Sequence, residues 1–436
     1  MSSTTVVREA SVVTDAPVGM PSVFAPFKRF QTPLIVFGAL LLLAITRTFT
    51  PEASGLTEPL IFSTALLLAA PIAITGLGGI ISERAGIVNI GLQGMMVMGT
   101  CFAGLFGWHF GPWMGLVGGL VGGALAGALH AMATITFGVN HTVSGVAINL
   151  LTPGICRYMA SVLFAGKGDD GSLTNSPTMV ALTKYTLPVL SGGHIGSWQS
   201  PDVLSRIAEK KWFLISDLAG LFSGFTKEIS AATLVVLIIF PIAAYLLWRT
   251  PWGLRLRSCG EKPAAAESLG INVIRTQWTA VLLSGALAGL GGACLAVDVG
   301  RYIQGQVDLR GFLALACVVF GNWKLGGVLA GSLVFEYPDA VRLVTFGKEP
   351  RSLVFVGALA FALLAVWSYS RKNIREGLVV TGLTAAALAW FTFSKNIDAK
   401  LTATFPYLIT LLVLVFSSQR QRPPAAAGIT FRKGSS

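Results

Sequence analysis

The sequence predicts an all-α protein, a polytopic transmembrane helical bundle with inverted repeats and one broken or half helix. Three observations carry this. Of the 436 residues, 53% are hydrophobic and only 12% are charged, against about 25% charged in soluble domains. Mean hydropathy is +0.70, and apolar runs recur at the length of ~20 residues that crosses a bilayer. Fifty glycines and no long polar segment suit helices packed closely in lipid. The net charge of +12 lies mostly in short loops and tails, where the positive-inside rule puts it. It therefore calls for the lipid bilayer as partner and for no nucleic acid. The five cysteines, Cys101, Cys156, Cys259, Cys294 and Cys317, show no pairing pattern, so structural disulfides are not expected.

Residues 1–32 are polar, with Lys28 and Arg29 just before the first apolar run. They lack a small-residue cleavage pattern and read as an uncleaved cytoplasmic tail. A membrane domain follows over 33–418, with apolar segments at 33–49, 58–81, 88–107, 111–137, 142–164, 231–248, 275–297, 311–321, 326–345, 353–370, 377–394 and 404–418. Segment 311–321 is too short for a normal crossing and reads as the broken or half helix, tolerated where it lines a cavity. The loop 165–230 carries six basic and six acidic residues, neutral as an external loop can be. Arg249, Arg255, Arg257, Lys262 and Arg275 put loop 249–273 inside. The tail 419–436 is basic and also reads as cytoplasmic. Both termini inside require an even number of crossings, and twelve segments meet that.

Two patterns predict the packing. Thr75-Gly-Leu-Gly-Gly79 recurs as Ala288-Gly-Leu-Gly-Gly292, each followed by a Gly-rich apolar run. The first copy ends a span heading inward and the second a span heading outward, the arrangement of inverted repeats. Gly115, Gly119, Gly123 and Gly127 lie at four-residue spacing, and Gly285/Gly289 and Gly327/Gly331 repeat it. This reads as tight packing within one chain, with contact to a second chain as the alternative.

The most informative stretch is Ser82 to Met96, SERAGIVNIGLQGMM. Asn89, Gln93 and Met96 recur at i, i+4 and i+7, one polar and soft-tipped stripe of a helix. Uncharged amides in an apolar segment are costly unless something needs them. The stretch resembles a signature of the permeases of bacterial nucleoside and simple-sugar ABC importers, with Gln93 where that family usually has Glu. Val139 to Leu151, VNHTVSGVAINLL, and Arg310 to Phe320, RGFLALACVVF, resemble two further family blocks. The candidate pathway set is Asn89, Gln93, Met96, Asn140, Thr142, Ser144, Asn149 and Phe312. Amides, hydroxyls, a thioether and a ring suit a neutral ligand with many hydrogen-bonding positions and a flat ring. For any one of these residues, interhelical hydrogen bonding or core packing is the competing reading.

Residues 249–273, RTPWGLRLRSCGEKPAAAESLGINV, contain a short helix bracketed by Pro263 and Gly270. Its small residues let a partner approach. The segment resembles the family's ATPase-docking loop, which implies coupling roles for Gly260, Glu261, Pro263, Ala265, Ala266 and Gly270. Lys262 stands where the family usually has Asn, so the favoured N-cap side chain is missing. The resemblance fails over 346–403, where two extra apolar runs form an added hairpin.

The chain has no G-x-x-x-x-G-K-[ST] loop and no His–carboxylate cluster with metal spacing. The expectation is therefore a transporter subunit with no catalytic residues, no metal and no cofactor of its own. The resemblance implies ATP and Mg on a separate ABC ATPase subunit, a second related permease forming a heterodimer, and an extracellular substrate-binding lipoprotein. It implies a bacterial cytoplasmic membrane location, multi-pass, and nucleosides as substrate, with simple sugars as the alternative. An ion-coupled secondary transporter needs membrane-embedded carboxylates; Asp298, Asp308, Glu336 and Asp339 fall near predicted span ends. No catalytic constellation supports a membrane-embedded enzyme.

Overall fold

The computed structural model describes residues 38, 41–48, 55–168, 174–195, 198–345, 350–370, 374–393 and 421–432. The predicted segment 404–418 and tail 1–32 lie outside these residues, as do 33–37, 39–40 and 49 of the segment 33–49. The helices are α1 (Pro59–Arg84), α2 (Leu92–Phe110), α3 (Pro112–Ala131, extended by a π-helical turn Met132–Thr136) and α4 (His141–Leu163). After the long loop come α7 (Ala231–Arg249), α8 (Pro251–Glu261), α9 (Pro263–Ser268), α10 (Val273–Val299), α11 (Arg310–Phe320), α12 (Leu325–Val344), α13 (Pro350–Ser370) and α14 (Ile374–Phe393). The loop itself holds α5 (Val203–Glu209), α6 (Ile215–Gly224) and two short antiparallel ribbons, Lys184–Tyr185 with Ile229–Ser230 and His194–Ile195 with Trp198–Gln199. Among the described residues, seven helices are long and apolar enough to cross a membrane: α1, α3, α4, α7, α10, and the helical stretches of α13 and α14. The chain is thus a multi-pass membrane protein. All five cysteines are buried and unpaired.

The core is an antiparallel pair, α1 against α10. Their contacts step in register: Pro71 with Gly291, Gly78 with Ser284, and Ala85 with Gln277. Each is a two-turn step on one helix matched by two turns back on the other. A methyl added at Gly291 would lie 2.5 Å from the Pro71 carbonyl, and one at Gly78 would lie 2.6 Å from the Ser284 carbonyl. In the repeated motif Gly78 corresponds to Gly291, and Pro71 to Ser284. The two contacts are therefore equivalents exchanged by a pseudo-two-fold axis.

The rest of each motif obeys the same exchange. Gly76 lies against Val328 of α12 and Ala314 of α11, and Gly79 touches Val318 of α11 and Leu92 of α2. On the other side Gly289 lies against Gly119 and Gly123 of α3, and Gly292 against Met96 and Thr100 of α2. Each repeat's first helix is covered by the two helices that follow the other repeat's first helix. The weak sequence repetition is thus a real structural inversion of α1–α2–α3 as α10–α11–α12. The four-residue glycine spacing serves the α3–α10 seam inside this chain. A methyl at Gly123 would fall 2.1 Å from the Gly285 carbonyl, and one at Gly289 would fall 2.1 Å from the Gly119 carbonyl. Such seams gain from van der Waals contact and Cα–H···O approach rather than from side chains.

The added hairpin, α13 and α14, packs chiefly on itself: Phe355 and Phe391 lie 4.9 Å apart, and the Tyr369 ring covers Gly377. At the loop end of the bundle, Arg47 forms a 2.7 Å ion pair with the buried Asp217 of α6.

Candidate functional site

The sequence continues from α1 into α2 through a break, residues 85–91. Gly86 has φ +95°, a left-handed conformation that Gly adopts without strain. Ser82 Oγ donates to the Ile87 carbonyl at 2.7 Å and holds the turn. Asn89 consequently sits in the break rather than on a continuous helical stripe. Its amide donates to Ser284 Oγ at 2.9 Å and touches Met95 Sδ, while its buried Oδ1 has no partner among the described residues.

Gln93 lies in the first turn of α2 and faces the first turn of α11. Its Nε2 donates to the Asp308 carbonyl at 2.5 Å, and its Oε1 accepts from the Gly311 N–H at 2.8 Å. Two helix heads therefore meet at one side-chain amide, α2 leaving in one direction and α11 in the other. Asn149 of α4 secures the same head from behind: its Oδ1 accepts from Gly94 N–H at 2.8 Å and its Nδ2 donates to the Ile90 carbonyl at 2.9 Å. It satisfies a first-turn donor that the N-cap, Gly91, has no side chain to reach. Met96 is buried, with its sulfur 3.7 Å from Thr75 Oγ1.

The other candidates fall into two places. Asn140 caps α4, accepting from Thr142 N–H at 2.9 Å, and Ser144 Oγ lies 2.9 Å from His130 Nδ1. Thr142 is exposed on the α4 surface, and Phe312, next to Gly311, is 42% exposed. The structure thus brings Asn89, Gln93, Met96 and Asn149 together at the head of α2, with Phe312 beside them, and leaves Asn140, Thr142 and Ser144 at the start of α4.

Two features escape residue-by-residue reading. The face of α4 turned away from α2 exposes Arg157 and Tyr158; a charge on a spanning helix is costly against lipid and implies water or a partner. The signal was an arginine inside segment 142–164. Three of the four carboxylates weighed for ion coupling are engaged, Glu336 lying 3.7 Å from Arg310, Asp339 lying 2.6 Å from Arg342 and Asp298 accepting from Ser230 Oγ, while Asp308 is exposed.

At the end of the bundle opposite loop 165–230, α8 and α9 form the loop that the sequence pattern singles out at 249–273. Thr250 caps α8 and Pro251 opens it. Pro263 opens α9, and Gly270 closes it at φ +82°, with Gly270 N–H to the Glu267 carbonyl at 2.8 Å and Ile271 N–H to the Ala266 carbonyl at 3.0 Å. That is a Schellman stop. Ala266 is buried against Cys259 and Val273, and burial pushes the Cys259 thiol pKa up, leaving it inert. Ala264 and Ala265 are exposed, and so is Leu269, at 81%.

Gly260 fixes this loop to the break. A methyl there would fall 2.2 Å from the Arg84 carbonyl, so only glycine permits the approach. Glu261 reaches Arg84 at 4.0 Å, Arg84 donates to the Trp323 carbonyl at 3.1 Å, and the Trp323 indole donates to Glu83. The charged pair of the SER sequence therefore joins α1, the α8–α9 loop and the α11–α12 turn.

Comparison with known proteins places the chain in a family. The family described as branched-chain amino acid transport system, permease component, matches residues 61–363. The chain is 33% identical over 332 residues to the nucleoside ABC transporter permease protein NupC of Lactococcus lactis, spanning 73% of this chain and 94% of that protein. It is 31% identical over 293 residues to the guanosine ABC transporter permease protein NupQ of Bacillus subtilis, spanning 65% of this chain and 82% of that one. A second protein of the same Lactococcus strain, the nucleoside ABC transporter permease protein NupB, is 22% identical over 306 residues, spanning 68% of this chain and 76% of that protein. No solved structure matches.

Proposed function

The chain belongs to the permease-component family of branched-chain amino acid transport systems, and from that premise we propose that it is the membrane-spanning subunit of an ATP-driven importer of nucleosides. The observation that carries the substrate is the 33% identity spanning 94% of a nucleoside permease. The chemistry at the head of α2 is compatible: Asn89 Oδ1 is left without a partner among the described residues and the Phe312 ring is partly exposed beside it, an acceptor and a flat surface without fixed charge such as a neutral nucleoside requires. The chain sits in a bacterial cytoplasmic membrane with both termini inside, as its loop charges favour. ATP and Mg bind a separate ABC ATPase, which docks on the exposed face of α9 formed by Ala264, Ala265 and Leu269.

A second, related permease completes the pathway, and an extracellular binding lipoprotein delivers the substrate. Support for a pair comes from one strain holding two nucleoside permeases that match this chain unequally, at 33% and 22% identity. The exposed face of α4, with Thr142, Arg157 and Tyr158, is the surface that such a partner and the water between the two would cover.

The test is reconstitution with the ATPase, the second permease and the binding protein. The expected result is ATP-dependent uptake of radiolabelled guanosine, competed by other nucleosides and not by ribose, with no ATP hydrolysis by the purified chain alone. Ribose uptake without nucleoside uptake would overturn the substrate, and ATP turnover by the isolated chain would overturn the class.

A further inference from the structure

The C-terminal segment is not a free tail. Arg422 N–H donates to Asn322 Oδ1 at 2.9 Å, Ala426 N–H to the Gly260 carbonyl at 2.8 Å, and Gly428 N–H to the Gly86 carbonyl at 3.0 Å. Ala425 N–H lies 3.4 Å from Glu261 Oε2, and Phe431 packs on Cys259, Ala266 and Val273. The strap therefore touches the α11–α12 turn, the coupling loop and the break before α2.

Its chemistry suits a stiff tie. Pro423 and Pro424 fix their φ angles and donate nothing. A turn follows, with Ala427 N–H to the Pro424 carbonyl at 3.1 Å and Ile429 N–H to the Ala426 carbonyl at 3.2 Å. Gly428 takes φ +84°, a conformation that a β-branched residue resists. The carbonyls it engages are ones their own helices leave open: Gly260 lies in the last turn of α8 and Gly86 lies past the end of α1. Ala426 and Gly428 grip them from a single turn, and Pro424 and Ala426 are buried there.

We propose that residues 422–432 are the mechanical link through which movement of α9 reaches the break before α2. Gly260 lies three residues before the start of α9, and Gly86 lies three residues before Asn89. A partner that shifts α9 must either carry the break with it or tear two backbone hydrogen bonds. This rests on the reading of α9 as the ATPase-docking helix.

The experiment uses the full transporter in proteoliposomes, with two variants: deletion of 421–436, and Gly428→Val in the full-length chain. Co-purified ATPase, melting temperature, ATP turnover and nucleoside uptake are measured on each. The expected result is wild-type ATPase content and melting temperature with uptake per ATP reduced about tenfold, within the usual range of coupling between sites. Wild-type uptake per ATP in both variants overturns the link. Uptake and ATP turnover falling together with melting temperature also overturns it, in favour of a stabilising clasp. Loss of the ATPase from the variants alone overturns it in favour of docking, whereas failure of the wild-type chain to retain the ATPase defeats the reading of α9 and the link with it.

Discussion

Gln93→Leu separates a structural amide from a lining one. The substitution keeps the side-chain volume and removes one donor and one acceptor. It strands the Asp308 carbonyl and the Gly311 N–H, which Gln93 holds at 2.5 and 2.8 Å. Interhelical hydrogen bonds in membranes average about 0.6 kcal/mol each, which gives a floor of ~1.2 kcal/mol for the pair. Stranding a buried polar group costs about 1–3 kcal/mol, which gives a ceiling of ~6 kcal/mol for two. The expected loss lies in the lower half of that range, because Leu fills the space and the unfolded state in lipid finds other partners. Denaturant unfolding in detergent micelles measures it, beside uptake in vesicles. Gln93→Glu supplies the companion: it keeps an acceptor for Gly311 N–H but points a second oxygen at the Asp308 carbonyl, so its stability should fall between wild type and Leu. Wild-type stability in Gln93→Leu would refute the bridging role, and full uptake alongside it would also remove Gln93 from the pathway.

Two further substitutions test the coupling loop and the helix seam. Ala265→Trp puts a bulky group on the exposed face of α9; overpacking a close contact costs about 1–3 kcal/mol, enough to cut ATPase co-purification severalfold or more, with insertion unchanged. Wild-type co-purification together with wild-type substrate-stimulated ATP turnover would remove α9 as the docking site. Gly289→Ala sets a methyl 2.1 Å from the Gly119 carbonyl, so α3 and α10 must part, and melting temperature should drop clearly. The same change at Gly382, where a methyl meets nothing within 4 Å, should leave it unchanged.

The helices were legible because lipid requires long apolar runs and sets their length. The edges of α10 and α12 fall within two residues of the predicted spans. The short helix α9 was legible because Pro263 and Gly270 are local punctuation. What was not legible depended on pairing across the chain. Asn89 matched a helical stripe by spacing, but Gly86 in the left-handed region and Ser82 turning back on Ile87 set it in a break. The four-residue glycine pattern could not name its partner until α10 was laid against α3. Gln93 and Asn149 satisfied the rule for lining residues and the rule for interhelical bonds equally well, and only their partners reveal that both hold the head of α2. The 81% exposure of Leu269 is a property of the folded surface that no local pattern carries.

The exchange between the two repeats also constrains synthesis. When the ribosome has completed α1, the residues that will cover its glycines, Ala314, Val318 and Val328, do not yet exist. The nascent first half must wait in the bilayer with a notched, uncovered face until α11 and α12 arrive. Neither half is then a folding unit, and the final assembly step is the closing of one half into the other. A gene cut within the stretch encoding loop 165–230 should yield two fragments that are each degraded when made alone and that rescue one another when made together.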